Sequence, residues 1–387
     1  LKRPAIFSKI LRSIYLLLNL GVIVWLFLCK WASIHDPAHK PTLLSLISFS
    51  CLFAVLANII FVISWLFSRK KWRSLLSLAT LLLCWNVVRP LAGINYFGSN
   101  KITPDAGGLK IMTWNVHMFD LGEWTKDKTS RAKIIKLIRE ESPDILCLQE
   151  FYWNKNEETE PYTAILQQMG YPFVEFSVEN QLRKRTITSN AGKNDTICTG
   201  HAIFSKYPLR NEQRHELFQN YNMLSVEVVI DSTHTLSLNV THLTSVGFGR
   251  KEMDYIQEVK SEGVDAQEKN KSKSLLRKLY TASARRADLA NQIDSLKRRM
   301  DYPIIICGDF NDVPGSYVYD RVKGKLADAF IAKGAGIGRT YQHIFPTLRI
   351  DYIFFDDTAL KAEGFERLNV GLSDHYPIIA NFSLRKP

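Results

Sequence analysis

The sequence predicts an α/β sandwich preceded by an all-α membrane module. Three observations carry that reading. Long uncharged apolar runs fill the first hundred residues, a strand–helix–strand succession opens the remainder, and short apolar strands ending in polar residues recur to the C-terminus. The net charge of +12 over 387 residues divides unevenly. Residues 1–100 hold eleven Lys and Arg against Asp36 alone, a net of +10, whereas 101–387 hold 39 basic and 37 acidic residues, a net of +2. The larger part therefore has no global field to draw in a polyanion. Six cysteines, scattered at positions 29, 51, 84, 147, 198 and 307, do not fit a disulfide scaffold or a zinc cluster.

Residues 13–29, 41–68 and 74–88 contain no Asp, Glu, Lys or Arg. A helix needs about 20 residues to cross a hydrocarbon core of about 30 Å. Spans are expected at about 13–29, 42–67 and 73–92, the third lengthened by Trp72 and LAGINYF with Arg89 snorkelling. Lys2, Arg3, Lys9 and Arg12 precede the first span, and Arg69, Lys70, Lys71 and Arg73 crowd the second turn. Positive flanks stay in the cytoplasm. Three spans then put the large domain outside, which in a bacterium means a multi-pass protein of the inner (cytoplasmic) membrane with a periplasmic domain. With two spans the domain is cytoplasmic.

Residues 101–387 read as one domain. KIMTWNV (110–116) is a β-rich run after a Gly-Gly turn. Ile134, Ile135 and Ile138 set a helix over 129–141, with Ser130 as cap and Pro143 as terminator. Residues 145–148 are a buried-strand run, and 223–230 with 235–241 alternate around a turn at 231–234 as a hairpin. Residues 303–307, 351–355 and 376–382 are further strands. Residues 250–300 are charged, rich in helix formers and free of strand-like runs. They read as one or two inserted surface helices, either structurally passive or a cover that selects substrate.

Six motifs share one form, an apolar strand ending in acids, amides or His: TWNVH (113–117), DILCLQE (144–150), NVTHL (239–243), IICGDFND (305–312), RIDYI (349–353) and LSDHYP (372–377). Strands that end at the same edge of a sheet bring such groups to one crevice. The resulting set is Asn115, Glu150, His242, Asp309, Asn311, Asp351, Asp374 and His375. Hard oxygen donors without a thiolate cluster suit Mg²⁺ or Mn²⁺. A Walker loop and a G-x-S-x-G elbow are both missing, which argues against an NTPase and a serine hydrolase.

The order and wording of these motifs, GDFND and SDHYP above all, resemble the endonuclease/exonuclease/phosphatase superfamily over about residues 108–386. That family includes deoxyribonuclease I, abasic-site endonucleases, bacterial neutral sphingomyelinases and inositol polyphosphate 5-phosphatases. The resemblance implies a four-layer sandwich of two packed β-sheets flanked by helices, and divalent-metal-dependent phosphoester hydrolysis. It implies Glu150 as main metal ligand, with Asn115 in the metal site and Asp374 as a supporting acid beside it. It implies that Asp309 and Asn311 orient the attacking water and hold phosphate oxygens. His375 then resembles the catalytic histidine, Asp351 its orienting carboxylate, and His242 the second histidine of the deoxyribonuclease I and sphingomyelinase branches. Deoxyribonuclease I pairs that second histidine with a Glu on a preceding strand. The matching stretch here, TGHAIFSKYPL (199–209), contains no acid, so His242 awaits another partner and His201 reads as structural.

Two functions follow. The first is a membrane-anchored phosphodiesterase or phosphatase acting on a lipid head group or another small phosphoester. The alternative is a membrane-anchored endo- or exonuclease acting on extracytoplasmic nucleic acid. The membrane tether and the near-neutral domain favour the first; the resemblance permits both.

Overall fold

A computed structural model describes residues 5–38, 43–96, 108–122, 125, 127, 129–154, 161–183, 196–247, 269–343 and 347–385. The expected domain start at Lys101 and the first part of the charged insertion, 250–268, lie outside these residues. The chain divides into two compact units. One contains Leu1–Leu91, Asp265–Ala287 and Val313–Asp320, and the other Ala92–Val264, Asp288–Asp312 and Arg321–Pro387.

In the first unit, helices Ala5–Ile34 and Cys51–Leu66 supply two segments, Ile10–Ile34 and Ser45–Leu66, long and apolar enough to cross a membrane. The third expected span is broken. Lys71–Leu83 and Trp85–Leu91 meet at 72°, so they form a third crossing only if the bent pair acts as one span. The break falls at Cys84, which caps the helix Ser74–Leu83 with φ -99° and ψ 20°. Large apolar side chains remain exposed along these helices, among them Leu17, Leu18, Ile60, Leu75, Leu82 and Leu83. Lipid is the solvent that suits such a surface. Inside, polar side chains pair with one another. The Asn19 amide donates to Ser77 Oγ at 2.6 Å, and Asn19 Oδ1 accepts from the Trp65 indole at 2.9 Å. One buried asparagine thus joins three helices, where the alternative is an unpaired amide in hydrocarbon.

The second unit contains both large sheets. Strands β2 (Leu109–Asn115), β3 (Ile145–Asn154), β4 (Phe173–Arg183), β5 (Thr196–Ser205), β13 (Leu360–Arg367) and β14 (Ile378–Leu384) form one, in the order β13-β14-β2-β3-β5-β4. Strands β6 (Leu209–Glu216), β7 (Asn222–Val229), β8 (Thr235–His242), β9 (Ile304–Asp309), β10 (Ala327–Asp328) and β12 (Asp351–Phe355) form the other, in the order β10-β12-β9-β8-β7-β6. A short pair, β1 (Gly93–Ile94) with β11 (Ala335–Gly336), stands apart. Each large sheet is mixed, with one parallel pair: β2 with β3, and β8 with β9.

The period-two pattern of the sequence explains the packing. Ile111, Ile145, Cys147 and Ile203 of the first sheet pack against Leu224, Val226, Leu238, Val240, Ile305 and Cys307 of the second. The opposite face of the first sheet, with Met112, Trp114, Leu146 and Leu148, packs on Ile134, Ile135 and Ile138 of helix Ser130–Glu141. The expected hairpin is β7–β8, with Val229 opposite Thr235. Strands β4, β6 and β13 lie beyond the expected set, each at a sheet edge; β6 is polar almost throughout, and the alternation of β13 is interrupted at Gly364. The described part of the insertion is a single helix, Lys269–Lys297.

The parallel β8–β9 pair depends on a glycine. Gly308 has φ +137°, and a Cβ built there would lie 1.9 Å from the carbonyl oxygen of Thr241. Gly308→Ala is therefore expected to lower unfolding stability by at least about 2 kcal/mol, through strain and a backbone clash. Thermal or denaturant melts read this directly, and a wild-type midpoint would show that the strand pair tolerates a side chain there.

Candidate active site

Backbone register assembles the site. On the second sheet His242 pairs with Asp309 and Asp309 with Asp351, so three adjacent strands present these residues in one row. On the first sheet β2 ends at Asn115, in register with Gln149 of β3. Against β5, strand β3 slips between Leu148 and Phe151 and gains one residue. Glu150 lies in this bulge with φ +50°, a left-handed conformation costly for a residue with a Cβ. The loop before β14 supplies Asp374 and His375. Ser373 Oγ anchors it on the Asn115 carbonyl at 2.8 Å, and the Trp114 indole donates to the His375 carbonyl at 2.9 Å.

Asp309 is the centre, with a side chain 1% exposed. Its Oδ2 accepts from the amides of Asn115 and Asn311, both at 3.2 Å, and its Oδ1 accepts from the Asn311 main-chain N–H at 2.9 Å. The Nε2 atoms of His375 and His242 lie 3.5 and 3.7 Å from Oδ2. Burial raises the Asp309 pKa to about 6, opposed by His375 and His242 and assisted by Asp351. The Asn115 amide also donates to Glu150 Oε1 at 3.1 Å.

His375 faces Asp351, the carboxylate that the resemblance pairs with it. Its Nδ1 lies 3.1 and 3.0 Å from the two Asp351 oxygens, so the Nδ1–H donates and Nε2 faces the centre. Burial disfavours its charge, but Asp351, Asp309 and Asp374 carry its pKa well above the ordinary value. Thr340 Oγ1 accepts the main-chain N–H groups of Ile350 and Asp351, holding the carboxylate end of β12 in place. The ring of Tyr341 packs edge-on against His375, centroids 5.0 Å apart. Asp309, Asp351 and His375 each bring one donor atom within 4.8 Å of the others, a cluster capable of coordinating a divalent cation.

Asp374 does not join that cluster. It faces His117, with Nδ1 3.3 Å from Oδ1. Burial raises its pKa, but His375 and His117 overcome this and hold it below the carboxylate range. His117 begins four consecutive residues with φ between +45° and +57°, His117 to Asp120, one turn of left-handed backbone. Such a turn costs about 1–2 kcal/mol per residue. The main-chain N–H of His117 donates to Asn115 Oδ1 at 3.1 Å. TWNVH displayed this histidine, but nothing in the motif marked it as a neighbour of Asp374.

The partner of His242 is Glu179. It lies on β4, outside the stretch 199–209 that matches the acid-bearing strand of deoxyribonuclease I. Its Oε2 is 3.5 Å from His242 Nδ1, and its side chain is 5% exposed. Burial raises the Glu179 pKa, but His201 and then His242 lower it to about 2. Burial lowers the His242 pKa, but Glu179, Asp309 and Glu150 push it up to about 10. Glu179 was missed because β4 is an edge strand and its acid is the extra residue of a bulge between Val178 and Asn180.

A charged pair follows for the metal-free protein. Glu179's contribution to stability is present above 4.5 and is lost as the pH falls toward about 2. His242's contribution is complete below 6.5 and is lost as the pH rises through about 10. In Glu179→Gln the His242 midpoint, followed by ¹⁵N NMR, is expected to fall by at least about 1 unit, because burial then meets less opposing charge. An unchanged midpoint would show that Glu179 does not charge His242.

A model of the endonuclease/exonuclease/phosphatase family matches residues 112–375. A model of a domain of unknown function (DUF8431) matches residues 10–91. No curated protein matches the chain. Among solved structures, the catalytic domain of human Nocturnin with bound sulfate is similar at 21% identity and TM-score 0.51, over 72% of this chain and 95% of that one. An endonuclease/exonuclease/phosphatase from Beutenbergia cavernae is similar at 18% identity and TM-score 0.49, over 72% of each chain. Sphingomyelinase C from Streptomyces griseocarneus is similar at 17% identity and TM-score 0.46, over 71% of this chain and 99% of that one.

Proposed function

The chain belongs to the endonuclease/exonuclease/phosphatase family, and from that premise we propose that it is a membrane-anchored, divalent-metal-dependent phosphodiesterase acting on nucleic acid. The observation that carries the reaction type is the convergence of His242 and His375 on Asp309, each imidazole backed by its own buried carboxylate. Two oriented imidazoles beside a water-activating acid match a reaction in which negative charge builds on phosphoryl oxygens.

Glu150, Asn115 and Asp374 would hold the cation, Mg²⁺ or Mn²⁺. Their hard oxygens fit such an ion, and the Asn115 amide nitrogen, donating to Glu150 Oε1 at 3.1 Å, steadies that carboxylate at its bulge. When bound, a divalent cation neutralises charge on the phosphate and on the leaving oxygen. Asp309 aligns the attacking water and accepts its proton. Asn311 holds Asp309 and reaches toward a phosphate oxygen. Asp351 keeps the Nε2 of His375 aimed at the centre, and Glu179 does the same for His242. Both rings then bind phosphoryl oxygens as charge develops.

Of the two functions read from the sequence, nucleic-acid cleavage has the better support, since two of the three activities in the name of the family model covering the site, endonuclease, exonuclease and phosphatase, act on nucleic acid. The lipid reading retains the membrane tether and the near-neutral domain. Wild-type protein is expected to hydrolyse bis-p-nitrophenyl phosphate with Mg²⁺ or Mn²⁺ and to stop in EDTA. Glu150→Gln should lose at least about 10²-fold, because cation stabilisation is worth several kcal/mol. Full activity of that variant would sink the ligand assignment. Plasmid DNA and phospholipid vesicles, assayed in parallel, decide the substrate; cleavage of lipid alone would return the assignment to a lipid head group.

We further propose that the domain from about residue 101 lies in the periplasm of a bacterium, anchored by residues 1–100 in the inner membrane. Support comes from the basic residues before the first span and at 69–73, with the bent third segment acting as one crossing. Alkaline phosphatase fused after Lys101 should then be active. An inactive fusion, with a fluorescent cytoplasmic reporter at the same point, would put the domain inside.

A further inference from the structure

Strand β5 passes between two irregular neighbours. On one side β3 carries its extra residue between Leu148 and Phe151, and on the other β4 carries Glu179 between Val178 and Asn180. The β3 slip falls opposite His201, between the pairs at Ala202 and Gly200, and the β4 slip falls one step along, between the pairs at Gly200 and Thr199. Glycine is required there, because a Cβ on residue 200 would meet the Ser177 carbonyl oxygen at 1.9 Å and the Glu179 nitrogen at 2.9 Å. The close approach allows β4 to bulge, and the bulged residue is the acid that reaches His242.

His201 is fully buried, and its surroundings determine where its proton sits. Its Nε2 lies 3.1 Å from the main-chain oxygen of Asn222 and 3.1 Å from Glu179 Oε1. Both neighbours are acceptors, so Nε2 carries the hydrogen. Nδ1 has no hydrogen-bond partner among the described residues. The Asn222 side chain also secures the bulge, accepting from Ser177 Oγ at 2.6 Å and donating to the Val178 carbonyl at 2.8 Å. Glu179 Oε1 has no well-aligned donor among the described residues. The polar edge of His201 is what faces it, while Oε2 faces His242.

We infer that His201 is a positioning residue: its Nε2–H, donated to the Asn222 carbonyl, fixes the ring edge 3.1 Å from Glu179 Oε1, and that edge keeps the Glu179 carboxylate in the orientation that aims His242 at the reacting phosphate. This rests on the hydrolase reading above. The Asn222 carbonyl would place the proton on Nε2 in a core histidine as well; what core filling does not need is a place beside the buried carboxylate. The sequence could not separate the two roles, because Glu179 is joined to His201 across the strand pair and not along the chain.

The test uses the full chain in detergent, with bis-p-nitrophenyl phosphate and Mn²⁺. His201→Met removes the N–H at similar volume, and His201→Gln restores an N–H at the end of the side chain. His201→Met is expected to lower kcat about 10- to 100-fold, the range for groups that hold a reacting residue in place. KM should change by less than about 3-fold. His201→Gln should recover most of the loss, and His201→Met should add nothing in a Glu179→Gln background. A folded His201→Met with wild-type kcat, or a loss that multiplies with that of Glu179→Gln, overturns the inference. A second measurement needs no folded loss variant: ¹⁵N shifts of labelled histidine, assigned with His201→Gln, should show the Nε2–H tautomer at His201. An Nδ1–H tautomer overturns it. If wild-type protein fails to cleave the diester, the hydrolase reading falls, while the tautomer still decides the placement of Glu179.

Discussion

The site hangs on the burial of one carboxylate. Asp309 sits at the end of β9, shielded from water, and an unpaired anion there would be costly. The sheet register supplies neighbours from both sides, His242 on β8 and Asp351 on β12. Amides from Asn115 and Asn311 occupy its oxygens. The requirement to stabilise Asp309 and the requirement to gather catalytic groups are thus met by the same contacts. Displacing Asp309 would also leave His242 and His375 with fewer opposing charges in the interior.

Regular strands could not deliver the two carboxylates flanking this centre. A strand alternates its side chains between faces, and one extra residue shifts which face a side chain takes. Strands β3 and β4 each use such an extra residue beside β5, one yielding Glu150 and the other Glu179. The positive φ at Glu150 and the left-handed turn beginning at His117 are backbone costs concentrated at the same end of the sheets. The packed core between the sheets is regular, and it supports these local departures.

The apolar helices follow a different rule. There many large apolar side chains face outward, Leu17, Leu18 and Ile60 among them, while Asn19, Asn58 and Ser77 are buried beside a small apolar core with Leu26, Val55 and Val87. Asn19 joins Ser77 and Trp65, and Asn58 donates to the Val22 carbonyl at 3.2 Å. Hydrocarbon offers no hydrogen bonds, so these pairs determine how the helices can sit together.

The sequence by itself determined the apolar helices and the sandwich class, each encoded locally by a run of apolar residues or an alternation. It also displayed the motifs that carry the eight polar residues, while the pairing of Asp351 with His375 followed from the family resemblance; in the structure Glu150 lies inside β3, Asp351 begins β12, and Asp374 and His375 precede β14. Tertiary structure alone decided that His242 pairs with Glu179, that His117 faces Asp374, and that His201 borders the same carboxylate. Those partners lie on different strands or loops, and two of them depend on extra residues that no period-two pattern reveals. The edge strand β4 is obscure for a related reason: with a neighbour on one side only, it tolerates polar residues that hide the alternation, whereas β13 alternates over Leu360–Glu363 and loses its period at the slip before Gly364. The bend at Cys84 was likewise beyond composition, which measures how apolar a segment is and not whether its axis is straight.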